Sequence, residues 1–308
     1  MNSEAGFARV ASADPRPVEP TIADAAREAA VDASADAEGE RSDAAAASVD
    51  GMLLVPGGTF TMGADCGGED DEHPAHAVTL AAFYLDRTEV TNEAYGDCVR
   101  ARACNAPDAN ASRANHAGPD APFRRPRQPV MGVSWSDASA YCRFVDKRLP
   151  REAEWEKAAR DSDDRRFPWG NDAPTPEHAA FGRPLGGGAT DDVGAHPAGR
   201  GPYGHDDLAG NVWEWTSDEY DPFAYKRSAA TTGEPGTCKQ ILAAQDELRR
   251  DGKQGYTGSN PIPNVCEHVL RGGAFNYDGP GLRVWNRVHH PGTFRLVMAG
   301  FRCARSAP

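Results

Sequence analysis

Glycine and proline interrupt this chain so often that only a fold of short elements joined by many turns is open to it. The 32 glycines and 24 prolines lie mostly between short periodic segments rather than in one tail. Proline lacks an N–H and glycine loses the most backbone freedom on ordering, so each cuts a helix or strand short. A length of 308 residues allows one large domain or two small ones. A loop-rich chain needs cross-links, and seven cysteines are available. None forms a CxxC, which argues against a zinc ribbon or a thioredoxin-type site. Three disulfides and one odd thiol in an oxidising compartment is the simplest arithmetic.

The formal net charge of -13 would repel phosphates, so nucleic acid is not the expected partner. No stretch reaches the roughly 20 apolar residues of a membrane-spanning helix, and no transmembrane segment is expected. Much of the acidity sits in residues 1–50, which are rich in Ala, Asp, Glu and Ser and carry Phe7 as their one aromatic. That composition has little to bury and predicts a disordered tether. The folded domain is expected over 51–308. Residues 1–9 show no cationic start followed by an apolar run. An extracytoplasmic setting therefore requires a leader further upstream; the alternative is that the cysteines stay reduced.

Residues 52–55 read as a strand, Pro56-Gly57-Gly58 as a turn and 59–63 as the returning strand. A further strand is expected over 77–85. Helical spacing covers 91–100, with Thr91 as N-cap and Glu93 in the first turn. Residues 101–129 form a polar excursion. A helix opens at Ser134 with Ala138, Tyr141, Cys142 and Val145 on one face, and another runs from 151 to about 160. Beyond Trp169 only loops and short strands are expected. His73 and His76 make an HxxH among Glu69, Asp70, Asp71 and Glu72, which reads as an exposed acidic loop rather than a metal site. Gly186-Gly187-Gly188 lacks the Lys-Ser/Thr of a phosphate loop and reads as a turn.

Separated segments, in order, carry a more specific signal. They are 55–63 (VPGGTFTMG), 89–92 (EVTN), 129–135 with 140–142 (PVMGVSW, AYC), 148–156 (RLPREAEWE), 168–170 (PWG), 208–215 (LAGNVWEW), 270–273 (LRGG) and 300–302 (GFR). The ordered set resembles the formylglycine-generating-enzyme, or sulfatase-modifying-factor, family. The resemblance implies an α+β fold, low in regular structure and related to C-type-lectin-like domains. Five of the six tryptophans lie in these segments and Trp285 follows the Arg-Gly-Gly turn; all six are expected to fill the core. Arg151 stands where the family usually has a capping Thr, at a cost of about 1 kcal/mol.

Further expectations follow from that resemblance. Cys142 and Cys303 fall where family enzymes often carry a disulfide. Cys98 and Cys104 are close enough to bridge locally, and Cys238 could pair with Cys266, leaving Cys66. The family's copper(I)-binding cysteines align with Tyr277 and Leu282, and no cysteine lies between Cys266 and Cys303. Soft thiolates are what that ion requires, so copper and formylglycine formation are not expected. Asp207 and Glu214 side chains with the Gly210 and Val212 carbonyls match a family calcium site, hard oxygens converging on a glycine-containing turn; the alternative is that the two carboxylates bind loop amides. A second family calcium site is not expected, because Ala180 occupies its asparagine position.

Asn276, Tyr277, Asp278, Arg283, Trp285, Arg287, His289 and His290 follow the Arg-Gly-Gly turn, in the segment that lines the family's substrate groove. They fit a grip for a peptide or glycan, and equally an ordinary polar surface around a buried Trp285. Two functional classes compete. One is a calcium-stabilised binding or accessory module. The other is an oxygen-dependent oxidoreductase with a non-standard site, as in the family's relatives in ergothioneine and pyoverdine biosynthesis; it would require new work from His289 or His290.

Overall fold

Pro56-Gly57-Gly58 moves the chain from one sheet into another, and much of the architecture follows from that transfer. The computed structural model describes residues 48–108, 123–185, 188–226, 236–250 and 265–308, side chains 247–249 excepted. The tether expected over 1–50 lies outside them save for its last three residues. There β1 (Ser48–Val49) already pairs with β2 (Met52–Val55), so strand pairing begins just ahead of the expected boundary. The expected hairpin between 52–55 and 59–63 does not form. Instead β3 (Gly58–Met62) pairs with β4 (His76–Leu80), while β2 pairs with β5 (Phe83–Asp86). At Gly57 an added Cβ would lie 2.9 Å from the Ala82 amide nitrogen. Glycine lets the two crossing segments touch, so the turn separates sheets rather than closing one. The strand expected over 77–85 is accordingly split at 81–82 between the two sheets.

The first sheet runs β1-β2-β5-β10, with β10 at Ala304–Ser306, all antiparallel. A third sheet runs β8-β7-β6-β9, built from β6 (Trp213–Glu219), β7 (Glu267–Arg271), β8 (Arg287–Pro291) and β9 (Ala299–Gly300), with β6 and β9 parallel. Helix α1 spans Asn92–Arg100 and is capped by Thr91, whose Oγ1 accepts the Ala94 N–H at 3.2 Å. Helix α2, Trp135–Phe144, opens with a reciprocal cap in which Ser134 Oγ accepts Asp137 N–H and Asp137 Oδ2 accepts Ser134 N–H. Helix α3, Glu152–Arg160, has no cap from the Arg151 side chain; Glu154 Oε2 reaches back to the Arg151 N–H at 2.8 Å instead. Helix α4, Cys238–Arg250, was not expected beyond Trp169. Its sequence, CKQILAAQDELRR, is mostly polar, and only Ile241 and Gln245 of its described side chains are buried, a one-turn signal too narrow for periodicity to find.

Two apolar clusters hold the layers together. Val55, Phe60, Val78, Leu80, Phe83 and Leu85 pack on Trp155 and Ala158 of α3. Tyr95, Tyr141, Trp213, Trp215 and Phe301 join α1 and α2 to the third sheet. The sulfur atoms pair as Cys98–Cys104, Cys142–Cys303 and Cys238–Cys266, and Cys66 is an exposed free thiol. No helix among the described residues is long and apolar enough to cross a membrane.

Candidate functional site

The loop 207–214 turns sharply because Asp207, Gly210 and Asn211 all take positive φ, at 59°, 82° and 58°. The turn brings Glu214, on β6, beside Arg302. Arg302 Nε donates to Glu214 Oε2 and Nη2 to Oε1, both at 2.7 Å, and Trp155 Nε1 adds a third donor at 3.0 Å. A carboxylate has about four acceptor positions, so one remains. Asp207 Oδ2 accepts the Gly194 N–H at 2.6 Å, and Asn211 Nδ2 donates to Glu89 Oε1 at 3.0 Å. Glu89 Oε2 is buried and receives no N–H or O–H. Burial raises the Glu89 carboxyl well above the usual range, reinforced by the Asp207 charge and opposed by Arg302. Burial likewise raises Asp207, against the Gly194 amide and Arg302, and raises Glu214 against Arg302. Three buried carboxyls therefore face one guanidinium.

Three buried carboxyls whose ionised forms are disfavoured, one with a Glu89 oxygen that no N–H or O–H reaches, fit a hard divalent cation, whose charge would favour their ionisation. The Gly210 and Val212 carbonyls would have to supply part of its shell. Among the described residues, the one trio of His, Cys, Asp or Glu ligand atoms lying within 4.8 Å of one another is Glu219, Cys238 and Cys266, and those two cysteines are disulfide-bonded. Sequence reading gave no role here to Glu89 or Arg302, although both lie inside the quoted motifs. Ala180, at the second family calcium position, is buried, and its carbonyl accepts Asn211 N–H at 2.9 Å.

The segment after Arg271-Gly272-Gly273 does not form one groove. An added Cβ at Gly273 (φ 80°) would lie 2.8 Å from the Gly281 carbonyl oxygen, so the chain folds tightly onto the turn at 279–282. Tyr277 sits edge-on to Trp213, 5.1 Å between ring centres. Leu282 is fully buried among Phe167, Ala179 and Ala209. Asn276 is half-buried with Oδ1 unpartnered, and Asp278 is exposed at the start of the turn. Strand alternation on β8 sends Arg287 and His289 inward. Arg287 is 1% exposed and donates to both Glu152 oxygens, at 2.6 and 3.0 Å, and to the Asp71 carbonyl at 2.7 Å. It belongs to the core rather than to a ligand surface, because buried Glu152 requires a counter-charge. Burial opposes ionisation of Glu152, but Arg287 and Arg271 outweigh it and hold the carboxyl below its usual range. His289 stacks on Tyr220 at 3.7 Å and its Nδ1 pairs with Glu267. His290, on the other side of the strand, stacks on Phe294, and burial lowers its pKa.

Arg283 and Trp285 do share a cavity. About 450 Å³ in volume, it is lined by Cys66, Arg166, Phe167, Asn171, Pro174 and Pro280 as well as these two. The expectation of an exposed acidic loop over 69–76 is corrected here: Asp71 and Glu72 are 1% and 0% exposed. Asp71 accepts the Tyr220 O–H at 2.7 Å, and Glu72 lies 3.7 Å from Arg283. Burial pushes the Glu72 carboxyl up to about 7 against the pull of Arg283. His73 and His76 bond the carbonyls of Ala64 and Pro74 through Nδ1.

Over residues 38–307 the chain matches the sulfatase-modifying factor enzyme 1-like domain. It is similar to the hercynine oxygenase of Mycolicibacterium thermoresistibile, 33% identical over 290 residues, covering 82% of this chain and 58% of that protein. It is similar also to the inactive C-alpha-formylglycine-generating enzyme 2 of Mus musculus, 35% identical over 214 residues, covering 56% and 70% of the two chains. The chain spans only 58% of the length of the mouse formylglycine-generating enzyme that it also matches. Among solved structures, PvdO from Pseudomonas aeruginosa superposes with a TM-score of 0.62 at 25% identity, covering 83% of this chain and 94% of that one.

Proposed function

Because the chain belongs to the sulfatase-modifying-factor family, whose matched members include both an oxygenase and an inactive form, we propose that it is an extracytoplasmic, calcium-stabilised binding or accessory module without formylglycine-generating activity. The observation that carries this reading is the occupancy of positions 277 and 282. A soft redox ion needs two thiolates there. Tyr277 packs on Trp213, Leu282 fills a closed apolar cluster, and the flanking Cys266 and Cys303 are held in disulfides. Those disulfides also support an oxidising compartment.

A calcium ion would be held by Asp207, the Gly210 and Val212 carbonyls and the remaining lone pair of Glu214, and its charge would favour the ionised forms of the buried carboxyls around it. The ligand surface is the cavity at Arg283 and Trp285, where a charged fork beside an aromatic face suits a peptide or glycan. Metal analysis with and without chelator tests the calcium reading. One calcium per chain is expected. At a hundredfold excess of ion over Kd, binding stabilises by about 2.7 kcal/mol. Chelation should then lower Tm by roughly 5–10 °C for a domain of this size. Tightly held copper or iron would overturn the reading.

An oxygen-dependent oxidoreductase is the second reading, supported by the match to hercynine oxygenase. It would have to use His289, whose Nε2 has no partner, without help from His290 on the opposite face of β8. Iron retained by the wild type and lost in His289→Ala would favour it.

A further inference from the structure

We propose that Cys238–Cys266 is a redox-active disulfide that oxidises external dithiols, with Glu219 as the proton donor to its departing sulfur. The proposal goes beyond the binding module and does not rest on it. Access is the first observation that carries it. Cys266 is exposed and Cys238 half-buried, whereas Cys98, Cys104, Cys142 and Cys303 are all buried. A thiolate from solvent therefore reaches Cys266, which leaves Cys238 as the departing sulfur. The second is the place of Cys238. It is the first residue of α4, a helix of 13 residues whose start is fixed by Gln240 Oε1 accepting the Thr237 N–H at 3.0 Å. The unpaired amides and dipole of a helix N-terminus stabilise a thiolate, and a more stable thiolate leaves faster. The third is a carboxyl. An oxygen of Glu219, at the end of β6, lies within 4.8 Å of both sulfurs. Its Oε2 is buried and has no hydrogen-bond partner. Burial raises this carboxyl above its usual range, so it keeps its proton to higher pH than a surface glutamate does.

In the first step a thiolate of the dithiol attacks Cys266 Sγ. The new S–S bond forms as the Cys238–Cys266 bond breaks, and the Cys238 sulfur takes the proton of Glu219. The second thiol of the dithiol then attacks the sulfur of its own molecule in the mixed disulfide. A cyclic disulfide closes, and Cys266 leaves with the proton of that second thiol. Two electrons and two protons pass from the dithiol to the cysteine pair, the proton lost by the first thiol returning to Glu219 through solvent.

In the test, N-ethylmaleimide first blocks the free Cys66 thiol. Dithiothreitol then opens the disulfides, and alkylation with peptide mass follows each pair. Cys238–Cys266 should open at least about tenfold faster than either other bridge. Exposure alone could do as much, so the deciding readout is the rate per unit of dithiothreitol thiolate between about pH 5 and 8. It should fall as Glu219 ionises, because the carboxylate has no proton to give and repels the attacking thiolate. Glu219→Gln should lower that rate by at least about tenfold at the acid end, where a positioned acid contributes most, and flatten the slope. The other titratable groups near Glu219 are Asp218 on β6, Glu267 and His268 on β7, His290 opposite His268 on β8, and Lys239 beside Cys238 on α4. Burial holds His268 down at about 4, outside the range measured, and lifts Asp218 to about 7, inside it. Asp218→Asn should therefore leave the slope in place. Opening no faster than the buried bridges, a slope that persists in a folded Glu219→Gln, or one that vanishes in Asp218→Asn overturns the proposal. Should Glu219→Gln fail to fold, a wild-type rate per thiolate that does not change with pH overturns it alone.

Discussion

Arg302 shows how much one side chain can hold. It is fully buried, bonds both oxygens of Glu214 and donates to the carbonyls of Asp86, Arg87 and Asp206. Removing one partner of such a pair strands the other in a dry interior, which costs about 3–5 kcal/mol. Arg302→Met should therefore lose stability on that scale in urea unfolding, and Arg302→Met with Glu214→Gln should lose less than the two single losses added. Asp218 gives a pH handle. Burial raises its carboxyl to about 7, and the Glu152 charge adds to that. A carboxyl whose pKa is higher in the folded than in the unfolded state favours the protonated native protein. Its contribution is complete below about pH 4 and is lost as pH rises through 7, with a slope of up to ~1.4 kcal/mol per pH unit. Asp218→Asn should flatten the fall in Tm between pH 5 and 8; a fall as steep as the wild type's would count against Asp218 as its source. At this scale the sequence exposed candidates but not environments. Arg287 and His289 look like a polar surface in one dimension, and β8 turns both inward.

Short elements here are held by caps and cross-links rather than by length. The Thr91 and Ser134 caps and the three helices up to residue 160 were legible because capping residues and apolar spacing are local. Strand partners were not, since β2 and β3 read as a hairpin until the close approach at Gly57 sends them into different sheets. The disulfides differ in what they restrain. Cys142–Cys303 closes a separation of 161 residues and Cys98–Cys104 one of 6. Chain entropy gives about 5 kcal/mol for the first and about 2.4 for the second. Replacing both cysteines of the long bridge by alanine should therefore cost roughly twice as much in chemical denaturation as the same change in the short one. Equal costs would place the stabilisation in the folded state rather than in the unfolded chain.

For the molecule as a whole, the family's scaffold persists, and on our proposal an aromatic ring and a leucine, Tyr277 and Leu282, stand where the resemblance implies a pair of cysteines. Incubated with a cysteine-containing sulfatase peptide, copper and oxygen, the protein should yield no aldehyde detectable by hydrazine labelling; aldehyde formation would show that thiols elsewhere do the work. The sequence by itself determined the family, the helices that carry their own caps and the absence of cysteine between residues 266 and 303, because motif order and residue identity are properties of the chain alone. Only the tertiary structure decided which charges are buried in pairs, which strands share a sheet, and that Cys66 shares a cavity with Arg166 and Trp285. Those facts depend on contacts between residues from 14 positions apart, as Met62 and His76 are, to 219, as Cys66 and Trp285 are, and local pattern carries no record of which distant residues meet.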